Sequence, residues 1–286
     1  MKKIISMRRF VLILLMITLL GCDNNDVEEK IDRHYPTIKV ATYNVSVCNY
    51  SGIDNVVKAI KQIDADIIGL SEVDNMTVNS AYHSPTRKSI NQAKYIAEKL
   101  GMNFYFNKAE NMRGGEFGTA ILSKYLIKLR KRVELPYKEG HEHRSAAAVD
   151  VTVPGYSFPI VAVVTHLDHI GGELHEKQVR HLRQKFSSYQ IKDGVPIIFG
   201  DLNLFPTEKE YRMMTDLWTD TDKDLQYTAP SWNPDRKIDY ILTSNAQKWE
   251  ILSAKVPLPT DKVGDITFSE VSDHLPLVVE MKLIEE

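Results

Sequence analysis

Residues 196–203 read PIIFGDLN, a short apolar run closed by Gly200 and followed at once by Asp201 and Asn203. An apolar run this short, with no alternation, is the pattern of a strand covered on both faces. DIIGLS at 66–71 has the same character and is followed by Glu72. TIKVATYN at 37–44 alternates and is rich in β-branched residues, a strand by period, and ends on Asn44. Between them Ile53, Val56, Val57, Ile60 and Ile63 fall at helical spacing, and Asp54 reads as the cap of that helix.

Outward from these runs the chain mixes both periods. Helices are predicted over 91–100, stopped by Gly101, over 173–191, and from a Thr207–Glu210 capping box to about Trp218. Strands are predicted over 103–107, 119–123, 127–135, 145–153 and 158–165, the last two joined by a Pro154-Gly155 turn. Further strands follow at 238–243, 249–256 and 275–283. Strands that alternate with helices and strands that follow one another both occur, so the reading is one α/β domain with mixed sheets.

Composition narrows the class. The chain has 286 residues, 43% apolar and 26% charged, which suits a globular domain and excludes collagen-like, disordered and disulfide-scaffold classes. Lys2, Lys3, Arg8 and Arg9 precede an eleven-residue apolar stretch at 10–20, too short to span a bilayer as a helix. Basic flank, short apolar core and Gly21 describe an export signal over 1–21. LLGC at 19–22 resembles the bacterial lipobox, whose Cys, here Cys22, is lipidated. Residues 22–36 then read as a flexible tether and 37–286 as the folded domain of a lipoprotein of the bacterial cell envelope, bound to membrane through Cys22. The only other cysteine, Cys48, reads as a small buried apolar residue. Beyond the signal, 32 basic residues face 38 acidic ones, a net charge of −6, which argues against a dominantly basic nucleic-acid binder.

Polar residues recur where the strands end: Asn44, Glu72, His166 with Asp168, Asp201 with Asn203, then Asp239 inside KIDYIL and Asp273-His274 before the last strand. Loops at one end of a layered α/β sheet converge, so these side chains can share a site. Carboxylates with amides and imidazoles form a hard-oxygen set that suits Mg²⁺ or Mn²⁺ more than zinc. Taken alone, Asp201 reads as a turn residue. Asp239, flanked by Ile238, Tyr240, Ile241 and Leu242, is costly to bury without a partner. His141, His143, His169, His175 and His181 read as solvent-facing, and Gly114-Gly115 and Gly171-Gly172 as loop formers.

TYNV (42–45), GLSEVD (69–74), GTAILS (118–123), THLDH (165–169), GDLN (200–203), KIDYI (237–241) and SDHLP (272–276) occur in this order. The series resembles that of the endonuclease/exonuclease/phosphatase superfamily, which includes pancreatic-type deoxyribonucleases, apurinic endonucleases, inositol polyphosphate 5-phosphatases and bacterial sphingomyelinases. The resemblance covers about residues 37 to 283. It implies a four-layer α/β sandwich, two mixed β-sheets face to face with helices outside, and a metal-dependent phosphoesterase. By the same resemblance Glu72, Asn44 and Asp273 hold the metal, His274 is the general base and Asp239 orients it. Asp201 and Asn203 align the attacking water and hold the phosphate. His166 and Arg144 contact the phosphate, and Asp168 has a less defined part. Two positions depart from the family pattern: Ser46 stands where some members carry a second acid, and Thr119 where GNAILS has Asn.

The implied partner is a phosphate ester, mono- or diester, small or a lipid headgroup, turned over by a monomer. A nonspecific nuclease is the alternative within the superfamily. The densest basic run is 128–132, where alternation puts Lys128, Arg130 and Arg132 on one face of a probable sheet edge. A zinc hydrolase with an HxHxDH signature is a rival, but its first imidazole is Val164 here. A non-catalytic, lipid-anchored binding protein is the rival from another class.

Overall fold

A computed structural model describes residues 35–187 and 193–285. The signal at 1–21, Cys22 and nearly all of the tether lie outside the described residues, as does the end of the helix expected to reach 191. The elements run β1 (Thr37–Asn44), α1 (Ile53–Ile63), β2 (Ile67–Asn75), α2 (Val78–Tyr82), α3 (Gln92–Leu100), β3 (Asn103–Met112) and β4 (Gly115–Ser123). Next come β5 (Ile127–Glu134), β6 (Ser145–Val151), β7 (Ile160–Thr165), α4 (Gly172–Phe186), β8 (Val195–Asp201), α5 (Lys209–Thr215), β9 (Trp218–Asp220) and β10 (Asp239–Ser244). The chain closes with β11 (Lys248–Lys255), β12 (Lys262–Val263), β13 (Ile266–Thr267), α6 (Phe268–Val271) and β14 (Leu277–Glu285).

The alternation in TIKVATYN sorts β1 between two cores. Ile38 and Val40 enter one apolar cluster, Ala41 and Tyr43 another. The first cluster lies between two six-stranded sheets, ordered β11-β14-β1-β2-β4-β3 and β5-β6-β7-β8-β10-β9. Helices α1 and α3 cover the outer face of the first sheet, α4 and α5 that of the second. These are the four layers of the α/β sandwich expected from the sequence. Each sheet is built on one parallel pair, β1 with β2 and β7 with β8, each pair joined through a helix and flanked by antiparallel strands. Side chains at the carboxyl ends of both pairs therefore gather at one end of the sandwich.

Two glycines set how closely these strands approach. A Cβ on Gly69 would stand 2.2 Å from the Phe199 ring, so its absence lets that ring fill the seam between the sheets. Gly200 has φ +145° and a Cβ there would meet the Thr165 carbonyl oxygen at 1.8 Å. Only glycine holds β8 against β7 immediately before Asp201.

Several local readings need correction. The Thr207–Glu210 capping box does not form: α5 begins at Lys209, because Glu208 turns back to accept the Phe205 N–H at 2.8 Å. The box occurs instead at Thr267 and Glu270, opening α6. Trp218 ends no helix; its indole is buried and its backbone pairs with Ser244 as the edge strand β9. Helix α1 is capped by Gly52, and Asp54 in its first turn accepts the Tyr95 hydroxyl at 2.7 Å. The strands expected at 103–107 and 119–123 are longer, and form one hairpin turning at Arg113-Gly114. β5 is an edge strand, but a bulge between Leu129 and Lys131 breaks its alternation, and Arg130 is taken up by Asp150 and Asp193.

Candidate active site

Two of the residues expected to do chemistry, and the turn that follows a third, sit in backbone that non-glycine residues seldom adopt. Glu72 has φ +55° and lies where a bulge between Leu70 and Val73 interrupts the pairing of β2 with β4. The bulge turns its carboxylate out of the sheet and into a cleft. Asn203 has φ +49°, just past β8. After Asn44 the chain makes a turn in which Ser46, Val47 and Cys48 all have φ between +45° and +62°. Left-handed conformations cost roughly 1–2 kcal/mol per residue, so other bonds must hold them. The Ser46 N–H donates to Asn44 Oδ1 at 3.0 Å, and Gln92 Nε2 donates to the Val47 carbonyl at 2.8 Å. Cys48 is buried in the core, and burial pushes its thiol well above the usual range, as befits an inert cysteine.

The cleft these elements open holds about 480 Å³. It brings Glu72, Arg144, His166, Asp201, Asn203, Asp273 and His274 together. Its centre is Asp201 Oδ2, with Asn44 Nδ2 at 3.1 Å, His166 Nε2 at 3.6 Å and His274 Nε2 at 3.7 Å. Asn44 Nδ2 also donates to Glu72 Oε1 at 2.9 Å. With its oxygen accepting the Ser46 N–H, Asn44 positions two carboxylates at the place where the sequence reading expects the metal. Behind His274, Asp239 Oδ2 accepts the Nδ1–H at 2.8 Å and the Thr228 hydroxyl at 2.6 Å, while its Oδ1 is buried without a hydrogen bond. Nε2 of His274 is thus the nitrogen that faces the cleft.

The two imidazoles are driven apart. Burial alone pulls His274 down, but the charge and hydrogen bond of Asp239, helped by Asp201 and Asp273, push it up to about 10. His166 is pushed well below 6.5, by burial first and then by Arg144. Arg144 Nη1 lies 3.1 Å from His166 Nδ1. Guanidinium can only donate, so that nitrogen is the acceptor and the neutral ring carries its proton on Nε2. Asp201 is raised to about 7, by burial and then by Asp239. For groups with raised values, stability is complete below the unfolded value and is lost as pH climbs through the folded one. The metal-free protein should therefore lose thermal stability between about pH 7 and 10, where His274 discharges. In metal-free samples the His274 ring should titrate near 10 by NMR while His166 stays neutral through pH 6.5, and Asp239→Asn should lower the first value and flatten the melting curve. A His274 titration near 6.5 would contradict this electrostatic picture.

Not every candidate reaches the cleft floor. Asp168 is buried behind it, its Oδ2 3.0 Å from His141 Nδ1 and its Oδ1 accepting the Ile170 N–H at 2.9 Å. Thr119 is buried on β4 and accepts a hydrogen bond from Asn107 Nδ2 at 3.0 Å, directly across the hairpin. His141 is thus not a free surface residue. Nor is His175, which is 2% exposed on the inner face of α4, with Nε2 2.9 Å from the Leu202 carbonyl. His143 and His169 are exposed, the latter on the cleft rim. Sequence reasoning missed Thr228, Glu142 and Trp232. All three lie in loops, where no period marks them, and only tertiary pairing brings them to the site.

The donor chemistry fits a divalent cation. Glu72 is 2.9 Å from the Asn44 amide but, like Asp273, forms no ion pair with Lys, Arg or His among the described residues. Burial, aided by the charge of Asp273, pushes the Glu72 carboxyl up against the opposing pull of Asn44, His274 and Arg144. Two carboxylates facing one cleft with no cation between them are what a hard metal ion relieves. The only tight group of three such ligand types among the described residues is Asp201, Asp239 and His274, but two of its members already bond each other.

Known proteins are similar to this chain in sequence and in fold. The uncharacterized protein YbhP of Escherichia coli K12 is 22% identical over 231 residues, 79% of this chain and 86% of that one. The crystal structure of an endonuclease/exonuclease/phosphatase from Beutenbergia cavernae superposes with a TM-score of 0.64 at 21% identity, covering 86% of this chain and 72% of the other. The mannosyl-6-phosphatase of Bacteroides thetaiotaomicron gives a TM-score of 0.62 at 17% identity, covering 85% and 99%. Residues 41–274 match the sequence profile of the Endonuclease/Exonuclease/phosphatase family. That match takes in every motif from Asn44 to His274, and the chain belongs to this family of metal-dependent phosphoester hydrolases and nucleases.

Proposed function

We propose that the protein is an exported, lipid-anchored, Mg²⁺- or Mn²⁺-dependent phosphoesterase that prefers a small or headgroup phosphate ester to duplex DNA. The observation that carries the catalytic part is the file Thr228–Asp239–His274, whose Nε2 ends 3.7 Å from Asp201 Oδ2 at the cleft floor. In its neutral form His274 accepts the proton of the attacking water at Nε2, and Asp239, fixed by Thr228, holds the ring in the tautomer that can do so. Asp201 and the Asn203 amide align that water and the phosphoryl group. His166 offers its Nε2–H and Arg144 its guanidinium to the non-bridging oxygens as charge builds on them. Glu72 and Asp273 would hold the divalent ion, which neutralises charge on the phosphate and the leaving oxygen.

The substrate preference rests on the sparse positive charge of the cleft. Among the described residues Arg113, Arg144 and Arg236 are its only lysines or arginines, and Arg144 is already paired with Glu142 at 2.7 Å. Nucleases gain nonspecific affinity from many such contacts. A fold neighbour at 17% identity is a mannosyl-6-phosphatase, which supports the small-ester reading. Side-by-side assays in Mg²⁺ at low salt should give faster hydrolysis of at least one small ester or phospholipid than of plasmid DNA. Faster plasmid nicking than any of them would establish the nuclease reading.

No helix among the described residues is long and apolar enough to cross a membrane. Attachment through a lipid on Cys22 is supported by the LLGC sequence at 19–22. Two acyl chains anchor stably where one would not. Cys22→Ser should move the protein to the soluble fraction with turnover unchanged, measured by fractionation after a carbonate wash. Retention of the variant in the membrane pellet would count against the lipobox.

A further inference from the structure

Two short segments face each other beside the phosphate-binding end of the cleft, residues 141–144 and residues 166–168. They are tied by two rungs, Arg144 Nη1 to His166 Nδ1 at 3.1 Å and His141 Nδ1 to Asp168 Oδ2 at 3.0 Å. Gln178 reinforces the tie: its Oε1 accepts the Asp168 N–H at 2.9 Å while its Nε2 donates to the Pro136 carbonyl at 3.0 Å. Burial works against the charge of Asp168, yet the bonds from His141 and the Ile170 N–H hold its carboxyl below the usual range. The loop is therefore clamped at both ends, and Glu142, between the rungs, cannot withdraw. Its Oε2 lies 2.7 Å from Arg144 Nη2 and its side chain is 40% exposed to the cleft, while Arg144 is buried.

A carboxylate fixed beside a phosphate site has a definite selectivity. It accepts hydrogen bonds from hydroxyls and repels a second phosphate further along a chain. Trp232 lines the same cleft with 60% of its surface exposed, a flat apolar face that suits the C–H face of a ring or polyol. An ammonium group would also suit a carboxylate and an indole, but the charge of Glu142 is already met by Arg144 at 2.7 Å, which leaves its oxygens to accept from neutral hydroxyls. We propose that Glu142 and Trp232 form a leaving-group subsite for a neutral, hydroxyl-rich alcohol, so that the ester cleaved is a sugar or polyol phosphate. The assignment rests on the phosphoesterase reading above. Asp168 and His141 are positioning residues for it, acting through the loop.

The test compares glucose 6-phosphate and glycerol phosphate with n-butyl phosphate and phosphocholine, each also as its methyl diester, in Mg²⁺. The butyl esters match the leaving-group chemistry but carry neither hydroxyl nor ring. In Glu142→Gln the ratio of kcat/KM for the polyol ester to that for the butyl ester should fall about tenfold, as expected for a lost hydrogen bond to charge, mostly through KM. Trp232→Ala should lower the ratio several-fold, and Asp168→Asn should raise KM for the polyol ester. Circular dichroism and melting temperature confirm folding of each variant. Equal losses for both esters in Glu142→Gln would mean that Glu142 only orients Arg144, and the subsite falls. A phosphocholine preference that Glu142→Gln abolishes would replace the polyol by a cation and also overturn it. If the wild type turns over none of these esters, the small-ester reading falls first and the subsite with it.

Discussion

Replacing His274 by Ala is expected to lower kcat by roughly 10²–10⁴-fold, the usual worth of a general base. Asp239→Asn should cost a comparable factor for a different reason. Asp239 Oδ2 accepts from both His274 and Thr228. An amide that presents its NH₂ to the ring would favour the tautomer whose cleft-facing nitrogen already carries a proton. The double variant should lose much less than the product of the two losses, because the pair works as one unit. Multiplicative losses in kcat at saturating substrate would leave Asp239 a structural role only.

Metal removal should have an effect at least as large. EDTA is expected to abolish turnover and Mg²⁺ or Mn²⁺ to restore it, and Glu72→Gln should lose most activity even at saturating metal. A neutral amide is a poor ligand for a hard cation. Glu72 sits at the bulge in β2 that turns it into the cleft. Titration calorimetry of the metal-free protein would separate lost binding from lost catalysis. Undiminished turnover in chelator would sink the mechanism.

The sequence was most legible where period and burial coincide. PIIFG and DIIGLS gave β8 and β2 because a strand covered on both faces has no polar side to show, and β1 alternates because its two faces meet different layers. The termini were least legible, for they turn on single side-chain choices: Glu208 bonding Phe205, or the Trp218 indole pulled under a sheet edge. At the site, the residue types and their places at strand ends were visible from Asn44 to His274. Which atom faces what was not. The sequence could not show that Asn44 turns its oxygen away from the cleft, or that Asp168 meets His141 behind it. Those outcomes depend on φ values of +45° to +62° in the turn after Asn44 and on hydrogen bonds between segments far apart in the chain.

The Asn44 amide touches Glu72, carried by the first sheet, and Asp201, carried by the second, with one nitrogen. Neither sheet alone holds a working half of the chemistry: the base His274 and the metal-side Glu72 and Asp273 come from β2 and the turn into β14 of the first sheet, whereas the orienting acid Asp239, Asp201 and the phosphate ligands come from the second. The enzyme is thus a vernier whose two scales are the sheets, read against each other at the cleft. A sliding error of an ångström at the Gly69–Phe199 seam, two or three residues below Asp201 and Glu72, would appear as a catalytic defect before it appeared as a loss of fold. Core repairs and core damage at that seam should accordingly be scored by turnover as well as by melting.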